Sequence, residues 1–132
     1  MARYLLDTNI VSHVLKAHPA VIRRLTAVPM ASLCISAITE GELRFALARR
    51  PDAVRLQAVV EEFLARVDVL PWDRGSAACY ATLRAALGSR GKVLAPLDLL
   101  IAAQAQAAGA VLVSNDQAFG YCEGLALEDW TG

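Results

Sequence analysis

Four carboxylates in this chain stand in strongly apolar company: Asp7 in "RYLLDTNIVS", Glu42 in "AITEGELRF", Asp98 in "LAPLDLLIAAQA" and Asp116 in "VLVSNDQAF". An acid in a segment built for burial is costly unless it caps a helix, pairs with a cation or is neutralised. Capping is the local explanation for Asp7, because Asp, Thr and Asn all cap helices and a helix-like stretch follows. Asp98 falls just after Pro96, in or near a first helical turn where the helix dipole favours negative charge. Glu42 is harder to place. It shares a helical face with Ile38, Phe45 and Ala46, read as the apolar stripe, whereas Glu40 lies one turn before Arg44 as an ordinary exposed pair. If the four acids met, they would push up one another's pKa. No Lys or His lies near them in sequence, so the expected counter-charge is a hard divalent ion on oxygen ligands, Mg²⁺ or Mn²⁺. An ion held this way activates water and stabilises charge on a phosphoryl oxygen.

That chemistry requires elements that bring the acids together. Short apolar runs alternate with longer helical stretches. "RYLL", "SLCIS", "VDVLP" and "AVLVS" read as strands, with "GLALEDW" as a short fifth. Between them "TNIVSHVLK", "PAVIRRLTAV", "AITEGELRFALARR", "AVRLQAVVEEFLARV", "DRGSAACYATLRAALGSRG" and "LDLLIAAQAQAA" read as helices, with Pro19 at a first turn and glycines closing the last two. This alternation predicts a single domain over residues 1–132: a three-layer α/β/α fold around a mainly parallel sheet of four to five strands. Ligand sites in such sheets form beyond the carboxyl ends of the strands. Asp7 ends the first strand and Asp116 follows the fourth, so parallel strands would bring both to one edge.

Composition narrows the class. The chain has 132 residues, 56% of them hydrophobic, which excludes disorder and provides one substantial core. Formal charge is zero, but Asp116, Glu123, Glu128 and Asp129 face no Lys or Arg in residues 116–132. Residues 1–115 therefore hold 13 basic against nine acidic groups, a net +4, and 11 of the 13 are Arg, the better fork for phosphate oxygens. Cys34, Cys79 and Cys122 are odd in number and widely spaced, which reads as reduced thiols and not as a disulfide framework or zinc site. No basic and apolar leader opens the chain, and the longest apolar stretch is broken by two glutamines and a glycine. The expected setting is the cytoplasm, with no membrane partner. His13 and His18 read as surface residues of an outer helix, and Trp72 and Trp130 as packing residues.

Taken in order, "LLDTNI", "SAITEGELRFAL", "LAPLDLLIAAQA", "LVSND" and the terminal "LEDW" resemble the PIN-domain ribonucleases, and more narrowly the VapC-type toxins of toxin–antitoxin pairs. The resemblance runs through essentially the whole chain. It implies a metal-dependent endoribonuclease with Asp7, Glu42, Asp98 and Asp116 as the catalytic, metal-holding acids. It also implies that Asn9 and Ser114 support the cluster or its water. In "SND" either Asn115 or Asp116 carries the last role, and Asp116 fits the family's Ser/Thr-x-Asp form. An RNA substrate, expected to be tRNA, a small VapB-like antitoxin and a homodimer follow from the same resemblance.

The alternatives fit less well. A phosphoacceptor receiver would want paired acids after the first strand and a late Lys, and a haloacid-type phosphatase would want Asp where Asn9 stands. An inactive scaffold of the same fold would have lost some of the four acids. Basic side chains available for an RNA backbone are Arg23, Arg24, Arg44, Arg49, Arg50, Arg90 and Lys92. Val54, Leu56, Val59, Val60 and Phe63 are the helix face on which a partner could rest.

Overall fold

The computed structural model describes residues 2–132. Among them the chain forms five strands and six α-helices: β1 (Tyr4–Leu6), α1 (Thr8–Leu15), α2 (Pro19–Thr26), β2 (Leu33–Ser36), α3 (Ala37–Ala48), α4 (Val54–Arg66), β3 (Asp68–Leu70), α5 (Arg74–Ser89), α6 (Pro96–Ala108), β4 (Val111–Val113) and β5 (Leu127–Glu128). Single 3₁₀ turns precede β2 at Met30–Ser32 and follow β4 at Gln117–Tyr121. The strands are short, and β1, β4 and β5 are each followed directly by a polar residue: Asp7, Ser114 and Asp129.

All strand pairs are parallel, in the order β3-β2-β1-β4-β5. Side chains alternate across the sheet, as the period of a strand requires. Leu5, Cys34 and Leu112 enter one core beneath α5 and α6, together with Leu83, Leu87, Ile101 and Phe119. Leu6, Ile35 and Val113 enter the other, with Ile10, Val21, Val60 and Trp130. This is the expected α/β/α sandwich. Helix α3 touches both cores, through Ile38 on one side and Leu43 and Leu47 on the other.

The order of the strands fixes where a site can form. From β1 the chain moves outward through β2 to β3, then returns to lay β4 and β5 on the opposite flank. The direction reverses between β1 and β4, and a crevice opens outside their carboxyl ends at such a switch point. Leu6 pairs with Val113, and the next N–H along, that of Asp7, donates to the Val113 carbonyl at 3.1 Å. Asp7 and Ser114 are thus neighbours at the top of the two central strands.

Local chemistry sets the helix ends. Asp7, Ser36 and Asp73 cap α1, α3 and α5 by accepting backbone N–H groups. Helix α6 begins at Pro96 and closes on Gly109, whose φ of 62° suits a residue without a Cβ. His18 is not a bystander on the surface: it is half-buried, its Nδ1 accepts from the Val21 N–H at 3.3 Å to cap α2, and its ring packs edge-on against His13. Trp130 is buried beside Tyr4, and Trp72 donates to the Leu100 carbonyl at 3.0 Å, so both tryptophans pack.

Candidate active site

Asp7 is buried, with only 3% of its surface exposed. Its Oδ1 accepts the Ile10 N–H at 2.8 Å, so the residue is a helix cap and a buried carboxylate at once. Burial pushes its pKa up to about 6, and the charges of Asp98 and Asp116 push the same way. The Ser114 hydroxyl and the Ile10 N–H act in the opposite direction and do not prevail. Asp98, in the first turn of α6, is also raised: burial is the main cause, followed by the charges of Asp116 and Glu42. The helix dipole at that position favours the carboxylate, yet the net direction is upward. The four acids found in the sequence therefore feel one another across three separate elements and a loop.

Each side chain has its own means of placement. Asp116 follows β4, where its N–H donates to the Ser114 Oγ at 3.0 Å and its Oδ1 accepts from Ala118 at 2.9 Å, starting the 3₁₀ turn. The Ser114 N–H is held by the Glu128 carbonyl at 2.9 Å. Ser114 is buried and lies against Asp7, whereas Asn115 and Asn9 are exposed. Glu42 sits on the second turn of α3, half-buried, and its Oε1 accepts the Thr8 hydroxyl at 2.6 Å. The Thr8 Oγ1 lies 3.1 Å from that of Thr39.

The buried face of α3 is not the one expected. Phe45 is 62% exposed and Ala46 is exposed; Thr39 and Leu43 are the buried residues of the helix. Glu42 borders that face. Phe45 turns outward because α3 is covered along its Leu43 side by α4 and the second core, and its ring carries the Arg49 guanidinium instead. Thr8 and Thr39 were not among the expected site residues. The available signal was Thr39 three residues before Glu42, the helical spacing that shares a face, with Thr8 directly after Asp7.

The residues present fit a divalent cation by the chemistry of their donors. The candidate ligands are all carboxylate oxygens, which suit Mg²⁺ or Mn²⁺. The charges acting on Asp7 and Asp98 are those of other carboxylates. Among the described residues no three acidic, His or Cys side chains are drawn tightly enough together to enclose one ion.

Fold and acidic edge together define an α/β/α domain that gathers carboxylates at the switch point of its sheet. The sequence pattern of the PIN domain matches residues 4–123. A Shigella flexneri protein named tRNA(fMet)-specific endonuclease VapC is 34% identical over 132 residues, 99% of this chain and 100% of that one. A Haemophilus influenzae protein named Ribonuclease VapC2 is 35% identical over 131 residues, 98% of this chain and 99% of that one. The solved structure of DNA-bound VapBC from Salmonella typhimurium contains a chain that matches with a TM-score of 0.90 at 34% identity, covering 98% of this chain and 99% of that one. The chain belongs to the PIN-domain family and, within it, to the VapC ribonucleases.

Proposed function

We propose that this chain is the toxin of a toxin–antitoxin pair, an endoribonuclease that hydrolyses a phosphodiester bond in tRNA with a divalent cation held by Asp7, Glu42, Asp98 and Asp116. The observation that carries the reading is the coupling of these acids at one sheet edge, with burial and mutual repulsion raising Asp7 and Asp98. Mg²⁺ is the expected ion and Mn²⁺ its substitute. When bound, the ion supplies charge stabilisation at the scissile phosphate and activation of the attacking water. The carboxylates orient that water and the phosphate, and Ser114 holds the Asp7 carboxyl in place. His13 and His18 pack against each other between α1 and α2. Hydrolysis by water leaves a 5′-phosphate and a 3′-hydroxyl.

The RNA backbone needs cations. Arg24 is engaged with Glu128, Arg44 with Glu40 and Glu61, and Arg90 with Glu123. Arg49 and Lys92 stand over the rings of Phe45 and Tyr121. Arg23 and Arg50 have no ion pair among the described residues and are the first candidates. Exposed pairs such as those of Arg44 are weak enough to be exchanged for phosphate. The named activity of the Shigella flexneri relative makes initiator tRNA the first substrate to test, in the cytoplasm where it is found.

A small VapB-like antitoxin is the expected partner, supported by the VapBC complexes among the structural matches. Val54 and Val59 on α4 are exposed for such a contact, whereas Val60 is core and Leu56 and Phe63 are half-buried. A homodimer is part of the same reading. Among the described residues no helix is long and apolar enough to cross a membrane.

The test is incubation of total cellular RNA with antitoxin-free protein in Mg²⁺, in Mn²⁺ and in EDTA, beside Asp7→Ala. Discrete fragments that vanish with EDTA and with the substitution support the proposal. Intact RNA under every condition would return Asp7 to a helix cap and the chain to a binding module.

A further inference from the structure

Glu42 stands at neither a strand end nor a helix cap. It sits mid-helix on a flexible side chain, half-buried. One side-chain contact holds it: the Thr8 hydroxyl donates to Oε1 at 2.6 Å. A hydroxyl has a single proton, and that of Thr8 is committed to the carboxylate. The 3.1 Å contact between the two threonine oxygens can then be made in one direction only, with Thr39 donating and Thr8 accepting. Thr39 has no exposed surface, and Thr8 is the only side-chain hydrogen-bond partner of its hydroxyl among the described residues. A buried hydroxyl that spends its proton on another hydroxyl polarises it, and the second bond in such a chain strengthens.

We infer that Thr39 is a positioning residue for the ribonuclease reaction: acting through Thr8, it clamps Oε1 of Glu42 and leaves Oε2 without a hydrogen bond among the described residues. The inference rests on the ribonuclease reading above. Thr39 touches no substrate. It works by fixing where a ligand oxygen stands, in the way outer partners of metal-holding side chains commonly do. The geometry ties α3 to the start of α1, so an acid in the middle of a helix is placed by the residue next to Asp7.

The test compares Thr39→Val, Thr39→Ser, Thr8→Val and the double valine variant. Cleavage of initiator tRNA in Mg²⁺ gives kcat and KM, and electron paramagnetic resonance gives Mn²⁺ affinity without reference to activity. Loss of an outer partner typically costs ~10–100-fold. Thr8→Val is expected near the upper end of that range in kcat and Mn²⁺ affinity, and Thr39→Val near the lower, with KM for the tRNA unchanged. Thr39→Ser restores the hydroxyl and is expected to restore both quantities. In the Thr8→Val background, Thr39→Val is expected to cost nothing more, because the relay is already cut.

The melting temperature of Thr39→Val should fall by no more than about 5 °C, the scale of one lost hydrogen bond. That separates a misplaced Glu42 from a damaged fold. Wild-type protein that binds Mn²⁺ and cuts, with Thr39→Val matching it in kcat and affinity, would overturn this inference alone. Full additivity of the two valine substitutions, or failure of Thr39→Ser to restore function, would also overturn it. Wild-type protein that neither binds Mn²⁺ nor cuts would overturn the ribonuclease reading and this inference together.

Discussion

Asp7 and Asp73 have the same local role with opposite electrostatic outcomes. Each follows a strand and caps the next helix, accepting the N–H three residues on: Ile10 at 2.8 Å for Asp7, Ser76 at 3.0 Å for Asp73. Asp73 is exposed, and bonds from the Ser76 backbone and hydroxyl hold its carboxyl below the usual range. Asp7 accepts a comparable bond and still rises to about 6, because it is buried and faces other carboxylates. The cap motif is therefore no guide to function. What separates the two is position: Asp7 tops a central strand at the switch point, whereas Asp73 lies beyond edge strand β3.

The largest expected effect follows directly. Asp7→Asn keeps a capping side chain but removes a charge from the cluster, and should lower tRNA cleavage by ~10²-fold or more, the scale of losing a group that stabilises transition-state charge. Asp73→Asn should leave kcat and KM at wild-type values in the same assay. Equal losses at both positions would dissolve the distinction.

The next effect concerns stability and pH. A carboxyl whose folded pKa lies above its unfolded value of 3.8 contributes stability that is full below pH 3.8 and lost as pH rises through about 6. At neutral pH in EDTA, Asp7→Asn should therefore be more stable than wild type, by at most ~3 kcal/mol for a difference of about two pKa units. Asp73 has the opposite sign: its contribution is present above its unfolded pKa and fades as pH falls. Urea titrations at pH 4 and pH 7.5 check the first direction, and one at pH 3 or below checks the second.

A smaller shift is expected from metal. Saturating Mg²⁺ should raise the melting temperature of wild type by mass action on the folded state, but leave Asp98→Asn nearly unmoved. The smallest effect belongs to the exposed cluster of Arg44 with Glu40 and Glu61. Glu40→Gln should alter neither the melt nor cleavage beyond experimental error, as surface pairs contribute little, and this would confirm that Glu42 and not its neighbour belongs to the site.

Much of this arrangement was legible in the residues. The alternation of "YLL", "LCIS", "DVL" and "VLV" with helical stretches sufficed for a parallel sheet, and strand ends sufficed to bring Asp7 and Asp116 to one edge. Asp98 was legible from Pro96 and the helix start. The reading of α3 put Glu42 on an apolar stripe with Ile38, Phe45 and Ala46, but Phe45 and Ala46 proved exposed, while Thr39 and Leu43 face inward. Periodicity finds an apolar arc, but which arc is buried depends on how α4 and α6 close over the helix. The Thr39–Thr8–Glu42 chain was not legible, because a hydroxyl's partner is set by the approach of α3 to α1, and Thr8 and Glu42 stand 34 residues apart in the sequence. His18 as a helix cap was missed for the same kind of reason, since His is an uncommon residue in that role.

The most direct test of the central claim is the chemistry of the cut ends. Initiator tRNA cleaved by the purified protein in Mg²⁺ should yield fragments with 5′-phosphate and 3′-hydroxyl termini, read by ligation and mass spectrometry. A 2′,3′-cyclic phosphate would mean attack by the ribose hydroxyl, and would contradict hydrolysis of RNA by water at an acidic site.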